Sequence, residues 1–163
     1  MSVHQLRDIK PTDASWVFDA CQDEQIQYWT TVPKPYLMEH ANGFTVNALN
    51  EYKIWVIENE DSEPVGVISI HKVDEHGVAE IGYWVAPWGR GSGAVVNAIG
   101  ELEKLAKNYP NIKTIQATIS DLNDASKKVA LRAGLLKQEA SCKACPAGGV
   151  DTTATYYRKV LAV

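Results

Sequence analysis

Three glycines at alternate positions, Gly89, Gly91 and Gly93, separate an aromatic and β-branched run from a helical pattern. A glycine inside a regular element costs roughly 0.5–1 kcal/mol relative to alanine, so this corner predicts a need for bare backbone. The start of a helix carries unsatisfied N–H groups and a positive partial charge. A strand, a glycine loop and a helix in this order therefore predict a cradle for a phosphate or pyrophosphate group.

The glycine loop differs from two common nucleotide-binding motifs. A P-loop requires a lysine and then a serine or threonine after its last glycine, whereas Ala94 and Val95 follow Gly93 here. The dinucleotide fingerprint requires the spacing G-x-G-x-x-G after a strand of a parallel βαβ unit. The spacing here is G-x-G-x-G, and the preceding strands are predicted to be antiparallel. Neither motif accounts for the loop.

The remaining hydrophobic patterns predict an α/β (α+β) fold in a single domain, residues 1–163. Alternation and turn signals predict one mixed, mostly antiparallel central sheet of about seven strands, flanked by four helices. The predicted order begins with a strand at 4–9, a first helix, a second helix at 38–52, and strands at 53–58, 65–72 and 78–85. A helix at 94–107, a strand at 113–120, a helix at 123–134 and two strands joined by "PAGG" follow.

Composition excludes several classes of protein. The net charge of −4 argues against a nucleic-acid-binding surface, which is normally basic. No apolar run approaches the ~20 residues of a membrane span, and no signal peptide is visible at the start. The 3 cysteines are too few for a disulfide scaffold. We therefore expect a cytoplasmic protein that binds neither nucleic acid nor membrane.

Three segments resemble one family. The stretch "EIGYWVAPWGRGSGA" at 80–94 resembles the signature motif of the Gcn5-related N-acetyltransferase superfamily, and more narrowly its RimJ/RimL-like ribosomal-protein acetyltransferase branch. Trp88 stands where the superfamily usually has Gln or Arg, and Ala94-Val95-Val96 replaces the branch's frequent Ala-Thr-Glu. "NDASKKVALRAGL" at 123–135 is similar to the branch's asparagine–serine helix, and "WTTVPKPY" at 29–36 is a weaker third match. The resemblance covers nearly the whole chain.

The resemblance implies acetyl-CoA as co-substrate, no metal, and an amine as acceptor. It implies that the backbone of the fourth strand binds the pantetheine arm, that the N–H of Val85 holds the thioester oxygen, and that the glycine loop binds the pyrophosphate. The implied coenzyme-binding residues are Trp84, Val85, Ala86, Trp88, Gly89, Arg90, Gly91, Ser92, Gly93, Ala94, Asn123 and Ser126.

The resemblance also suggests roles in the chemistry. Glu80 is the candidate general base and Ser126 the candidate acid for the departing thiolate, with water or His71 as alternative bases. The acceptor pocket is expected to be lined by aromatic residues, namely Trp29, Tyr36, Phe44 and Tyr83. The acceptor is a ribosomal-protein N-terminus or a small amine, and homodimers are common among similar enzymes. A non-catalytic acyl-CoA-binding module is the alternative function.

Each candidate residue also has a purely structural interpretation. Glu80 could face solvent on an antiparallel strand, and Ser126 could simply lie in the first turn of a helix. His71 and His76 flank a predicted turn, where histidines are usually solvated. The isolated Cys142-Lys143-Ala144-Cys145 motif lacks the second ligand pair that a zinc site needs.

Overall fold

The computed structural model of the protein describes residues 3–161 and, within them, every side chain except those at positions 143 and 144. The strands are β1 (Gln5–Asp8), β2 (Lys53–Glu58), β3 (Pro64–Val73), β4 (Val78–Val85), β5 (Thr114–Ser120), β6 (Leu136–Ala147) and β7 (Val150–Val160). The α-helices are α1 (Ala14–Ala20), α2 (Glu24–Trp29), α3 (Met38–Thr45), α4 (Ala94–Ala106) and α5 (Asp124–Arg132). Short 3₁₀ turns occupy Pro11–Asp13 and Pro87–Gly89.

The strands form a seven-stranded sheet in the order β1-β2-β3-β4-β5-β7-β6. Neighbouring strands are antiparallel except β4 and β5, which run parallel from the pair Val78–Thr114 to the pair Ile81–Ala117. Beyond that last pair, and within the described residues, β4 and β5 continue without pairing to each other. The sheet therefore opens into a cleft at its centre.

Each face of the sheet packs against its own set of helices. Side chains alternate between the faces along each strand, so Ile81 of β4 joins one core and Trp84 the other. The first core includes the apolar stripe of α4, in which Ile99 and Leu102 are fully buried, and part of α5. The second core joins α1, α2 and α3 to the opposite face near the end of β4. The helices thus cover the sheet and leave its central cleft accessible.

The predicted fold class and single mixed sheet are confirmed, but the helices differ in two respects. Residues 3–161 contain five α-helices rather than four, because Asp23 caps a separate α2 by accepting a hydrogen bond from the N–H of Ile26 at 3.0 Å. The helix predicted over 38–52 ends at Thr45, since Asn47 and Asn50 adopt left-handed backbone with φ of 58° and 57°. Among residues 3–161, no helix is long and apolar enough to cross a membrane.

Candidate active site

The three glycines of the corner are required for different reasons. A Cβ on Gly89 would lie 2.6 Å from Cβ of Val65, so this position needs glycine for close packing against β3. Gly91 and Gly93 instead have φ of 77° and 75°, and a Cβ on either would meet nothing within 4 Å. Gly93 is the N-cap residue of α4. The loop is therefore anchored at Gly89 and open at Gly91 and Gly93, as an anion cradle at a helix start requires.

A buried histidine, His4, contacts both the glycine loop and α4. The Nδ1 atom of His4 lies 2.7 Å from Nδ2 of Asn97 in α4, and its Nε2 lies 3.4 Å from Oγ of Ser92. Ser92 in turn donates to the carbonyl oxygen of Gly89 at 2.7 Å. Burial lowers the pKa of His4, which favours the neutral ring that can accept at Nδ1. Ser92 therefore stabilises the loop conformation and also lines the cavity beside it.

Arg90 forms an ion pair across the loop. Its guanidinium donates to both carboxylate oxygens of Asp23, with a shortest distance of 2.5 Å. These hydrogen bonds hold the pKa of Asp23 below its usual range. The pair connects the glycine loop to the start of α2. The Arg90 side chain remains about 40% exposed and borders the cavity.

A single cavity of about 1740 Å³ joins the glycine loop to the cleft between β4 and β5. Ala86 directs its N–H to the carbonyl oxygen of Val65 in β3 at 2.9 Å. Because successive N–H groups in a strand point to opposite edges, the N–H of Val85 points toward the side where β5 has separated. The edge of β4 beside the cavity thus offers backbone hydrogen-bonding groups to a ligand.

Glu80 lies in this cavity on the face of β4 that points toward α1–α3. Its carboxylate accepts a hydrogen bond from Nε2 of Gln116 at 2.8 Å, and Oγ1 of Thr118 lies 3.0 Å from each oxygen. Gln116 is itself bonded through its amide oxygen to Nε of Arg158. The neighbouring strand thereby fixes the orientation of the Glu80 carboxylate.

The hydroxyl of Ser126 lies 2.8 Å from that of Tyr83, and both residues line the cavity. Burial raises the pKa of Tyr83, so this phenol stays protonated. Asn123 is the N-cap of α5, and its Oδ1 accepts from the N–H of Ser126 at 3.2 Å. The two hydroxyls form a hydrogen-bonded pair, with Ser126 in the first turn of α5 and Tyr83 in β4.

The remaining predicted residues divide into two groups. Trp29, Tyr36 and Phe44 line the same cavity on the side of α2 and α3. Trp88 is half exposed and donates its indole N–H to the carbonyl oxygen of Pro64, and Ala86 is fully buried in the second core. Neither of these two side chains lines the cavity.

Sequence reasoning named His71 only as an alternative base and missed its partner Glu51 and its neighbour Gly82. Nδ1 of His71 lies 2.8 Å from Oε2 of Glu51, and both residues line the cavity with Gly82. A Cβ on Gly82 would lie 2.3 Å from Nε2 of His71, so the imidazole ring lies directly against this glycine. A glycine inside a strand is a signal of such a close approach, and it could have revealed the site.

The two cysteines of β6 also border the cavity. The thiol of Cys145 donates to the carbonyl oxygen of Thr118 at 3.3 Å, and burial raises its pKa to about 11. This thiol is therefore protonated near neutral pH. Within the part of the chain that the structure describes, no three His, Cys, Asp or Glu side chains group closely enough to hold a metal ion.

Known structures share this fold. The microcin C7 self-immunity acetyltransferase MccE, solved with acetyl-CoA and AMP, aligns with a TM-score of 0.83 at 23% identity, covering 99% of this chain and 94% of that one. RimL, the ribosomal L7/L12 α-N-protein acetyltransferase solved with coenzyme A, gives 0.86 at 18% identity, covering 99% and 96%. Mycobacterium smegmatis RimJ gives 0.83 at 20% identity, covering 96% and 81%.

Comparison with curated protein sequences gives no significant match. A family profile described as "Acetyltransferase (GNAT) domain" matches residues 5–136, which include the glycine loop, Glu80 and the start of α5. The match spans most of the chain. The resemblance seen in the sequence is therefore confirmed, and the chain belongs to the GNAT acetyltransferase family.

Proposed function

We propose that this protein transfers the acetyl group of acetyl-CoA to a primary amine by direct attack of the amine on the thioester. The observation that carries the proposal is the continuity of one cavity, which joins the open glycine cradle to Glu80 and Ser126. The cradle suits the pyrophosphate because Gly91 and Gly93 leave it unobstructed at the start of α4. Solved neighbours with coenzyme A or acetyl-CoA bound support this choice of co-substrate.

A thioester bound along the free edge of β4 would lie between Glu80 and the hydroxyl pair of Ser126 and Tyr83. The N–H of Val85 is the proposed donor to the carbonyl oxygen, where negative charge develops during attack. Asn123 and the backbone from Trp84 to Ala86 are proposed to hold the pantetheine arm. Positioning of amine and thioester in one cleft supplies a large part of the acceleration.

Proton transfers complete the reaction. A lysine-like amine has a pKa of about 10 and an α-amine about 8, so the acceptor enters mainly as an ammonium ion. Glu80 is the proposed base, directly or through water, and it removes one proton. The free amine forms the C–N bond, and the intermediate breaks its C–S bond as it loses a second nitrogen proton. Ser126, which is hydrogen-bonded to Tyr83, is proposed to protonate the leaving thiolate, and the second nitrogen proton then restores the Ser126 hydroxyl.

The acceptor is proposed to be either a protein N-terminal α-amine or a small-molecule amine. The neighbours include both kinds of enzyme: RimL is named for the α-amine of ribosomal L7/L12, and a Vibrio cholerae neighbour is named as a spermidine N-acetyltransferase. The aromatic side of the cavity, with Trp29, Tyr36 and Phe44, is the proposed acceptor wall.

The test is release of coenzyme A thiol from acetyl-CoA in the presence of a panel of peptides and small amines. We expect release with at least one primary amine, and acetylated product by mass spectrometry. Glu80→Gln should lower kcat by about 100-fold with coenzyme A affinity within about twofold. Glu75→Gln, which changes an exposed carboxylate in the β3–β4 turn, is the matched control.

Two outcomes would contradict these assignments. Tight binding of acetyl-CoA without thiol release for any amine would favour a non-catalytic acyl-CoA-binding module. Weaker coenzyme A binding with intact turnover in Glu80→Gln would exclude this residue as the base.

A further inference from the structure

We propose that His71, oriented by Glu51, is the second proton acceptor of the cavity. It takes the proton that Glu80 removes from the acceptor ammonium group and releases it to solvent. The inference rests on the proposed function and extends it, because it names the route by which the proton leaves the site.

The first support is the fixed geometry of the pair. Oε2 of Glu51 lies 2.8 Å from Nδ1 of His71. The Asn47 side chain holds the backbone of Glu51 through two hydrogen bonds. Nδ2 of Asn47 donates to the carbonyl oxygen of Glu51 at 2.7 Å, and Oδ1 of Asn47 accepts from the N–H of Glu51 at 2.8 Å. A carboxylate can only accept, so a neutral His71 carries its proton on Nδ1 and presents a lone pair at Nε2.

The second support is the irregularity in β3 that places the imidazole. The pairing of β3 with β4 shifts between Ile70 and Lys72, which makes His71 the extra residue of a β-bulge opposite Glu80. Bulges redirect side chains and are common beside active sites. The ring then lies against Gly82, where a Cβ would be 2.3 Å from Nε2.

Glu80 and Gly82 lie on one face of β4, two residues apart. Successive positions on one face of a strand are roughly 7 Å apart. Both side chains border the same cavity, and a bridging water is the proposed connection between the carboxylate of Glu80 and Nε2 of His71.

The third support is the difference in exposure and hydrogen bonding between the two groups. Gln116 and Thr118 already donate to both oxygens of Glu80, which is half-buried. The side chain of His71 is 44% exposed and borders the same cavity. Glu80 must lose its proton before the next turnover. His71 offers a basic nitrogen that borders the same cavity and is more accessible to bulk water.

The proton balance is complete without a further reactant. The ammonium N–H bond breaks, and its proton passes to Glu80, directly or through water. It then passes from Glu80 to Nε2 of His71, which becomes an imidazolium ion stabilised by Glu51. Ser126 gives its proton to the coenzyme A thiolate, and the second nitrogen proton replaces it. The imidazolium ion then gives its proton to solvent, so each turnover releases one proton and restores the neutral ring.

The first experiment is a two-bond ¹H–¹⁵N correlation spectrum of the uniformly labelled protein at alkaline pH, with His71 assigned by comparison with His71→Ala. We expect the neutral ring of His71 to be protonated at Nδ1, and Glu51→Gln to change this tautomer distribution. A ring protonated at Nε2 would overturn the proposal, because no lone pair would then face the cavity. This measurement requires no turnover.

The second experiment compares turnover of variants with and without added imidazole. His71→Ala should lower kcat by at least ~10-fold, with the KM for acetyl-CoA within about twofold, and imidazole should restore part of the loss. Gly82→Ala keeps His71 but displaces its ring, so it should show a similar loss in kcat. His76→Ala is the control, since that histidine is exposed in the β3–β4 turn.

A kcat within twofold of the parent in His71→Ala, or a loss that imidazole leaves unchanged, would overturn the proposal. Rescue of Glu80→Gln by imidazole to the same extent would also overturn it, since the order of the two acceptors would then be wrong. Absence of thiol release by the unsubstituted protein would instead count against the proposed function, and the tautomer of His71 would still test the pair.

Discussion

Single positions in the glycine loop have separate physical requirements. Gly89 is necessary because Val65 of β3 occupies the space that a side chain would need. Gly91 is necessary because its φ of 77° is in the left-handed region, although the space around it is open. The first requirement concerns folding, whereas the second also keeps the proposed pyrophosphate cradle free of side chains.

Alanine substitutions should separate these requirements. Gly89→Ala should reduce the free energy of unfolding by about 1–3 kcal/mol because its methyl group overpacks against Val65. Gly91→Ala should cost about 1–2 kcal/mol through backbone strain and should weaken coenzyme A binding, because the methyl group enters the cradle. Urea unfolding and calorimetric titration with coenzyme A measure the two effects.

Gly100→Ala is the matched control for these substitutions. This glycine lies inside α4 with nothing within 4 Å of an added Cβ, so alanine should stabilise the protein by up to ~1 kcal/mol. Unchanged coenzyme A affinity in Gly91→Ala would show that the cradle lies elsewhere.

At the scale of elements, the loop between β4 and α4 is held by residues distant in sequence. Asp23 at the start of α2 binds Arg90, and His4, just before β1, contacts Ser92 and Asn97. The elements on both faces of the sheet thereby fix the conformation of one short loop. Local sequence patterns predicted the loop but not these partners, because the contacts join positions 67 to 93 residues apart.

The ion pair between Asp23 and Arg90 should make stability depend on pH in the acid range. The pKa of Asp23 is lowered in the folded protein, chiefly by its hydrogen bonds to Arg90. The contribution of the ion pair to the free energy of unfolding is therefore fully present above the unfolded-state pKa of about 3.9. It is lost as the pH falls through the lower pKa of the folded protein.

Asp23→Asn keeps a good helix cap and removes this charge. Because Arg90 is partly exposed, we expect a loss of about 0.5–1 kcal/mol at pH 7 that diminishes below about pH 4. Urea unfolding at several pH values measures it, with Asp19→Asn as a control at an exposed position of α1. A loss of equal size at every pH would indicate that the ion pair is not its source.

At the scale of the molecule, the sequence predicted the mixed sheet, its strand order along the chain and the position of the glycine loop. These features follow from local alternation, capping and glycine spacing, as in the Asn123 cap and the loop from Gly89 to Gly93. The pairing of Glu51 with His71 could not be predicted, since it depends on a bulge in β3 and on the chain's path after α3. Tertiary contacts of this kind leave no periodic pattern.

Coenzyme A binding should stabilise the whole protein. A ligand at 100 times its Kd adds about 2.7 kcal/mol to the free energy of unfolding, which corresponds to a rise in Tm of roughly 5–10 °C for a chain of this size. Scanning fluorimetry with acetyl-CoA measures the shift, and free pantetheine, which lacks the pyrophosphate, should give a much smaller one. An equal shift with both compounds would argue against the glycine cradle as the main anchor.

The early end of the pairing between β4 and β5 also affects how the molecule holds together. Only four register pairs, from Val78–Thr114 to Ile81–Ala117, join the two halves of the sheet along this seam. A co-substrate lying along the unpaired edge would act as a substitute strand and bridge the gap. The binding site would then also connect the two halves of the sheet. In each catalytic cycle the molecule that the reaction consumes would complete the sheet.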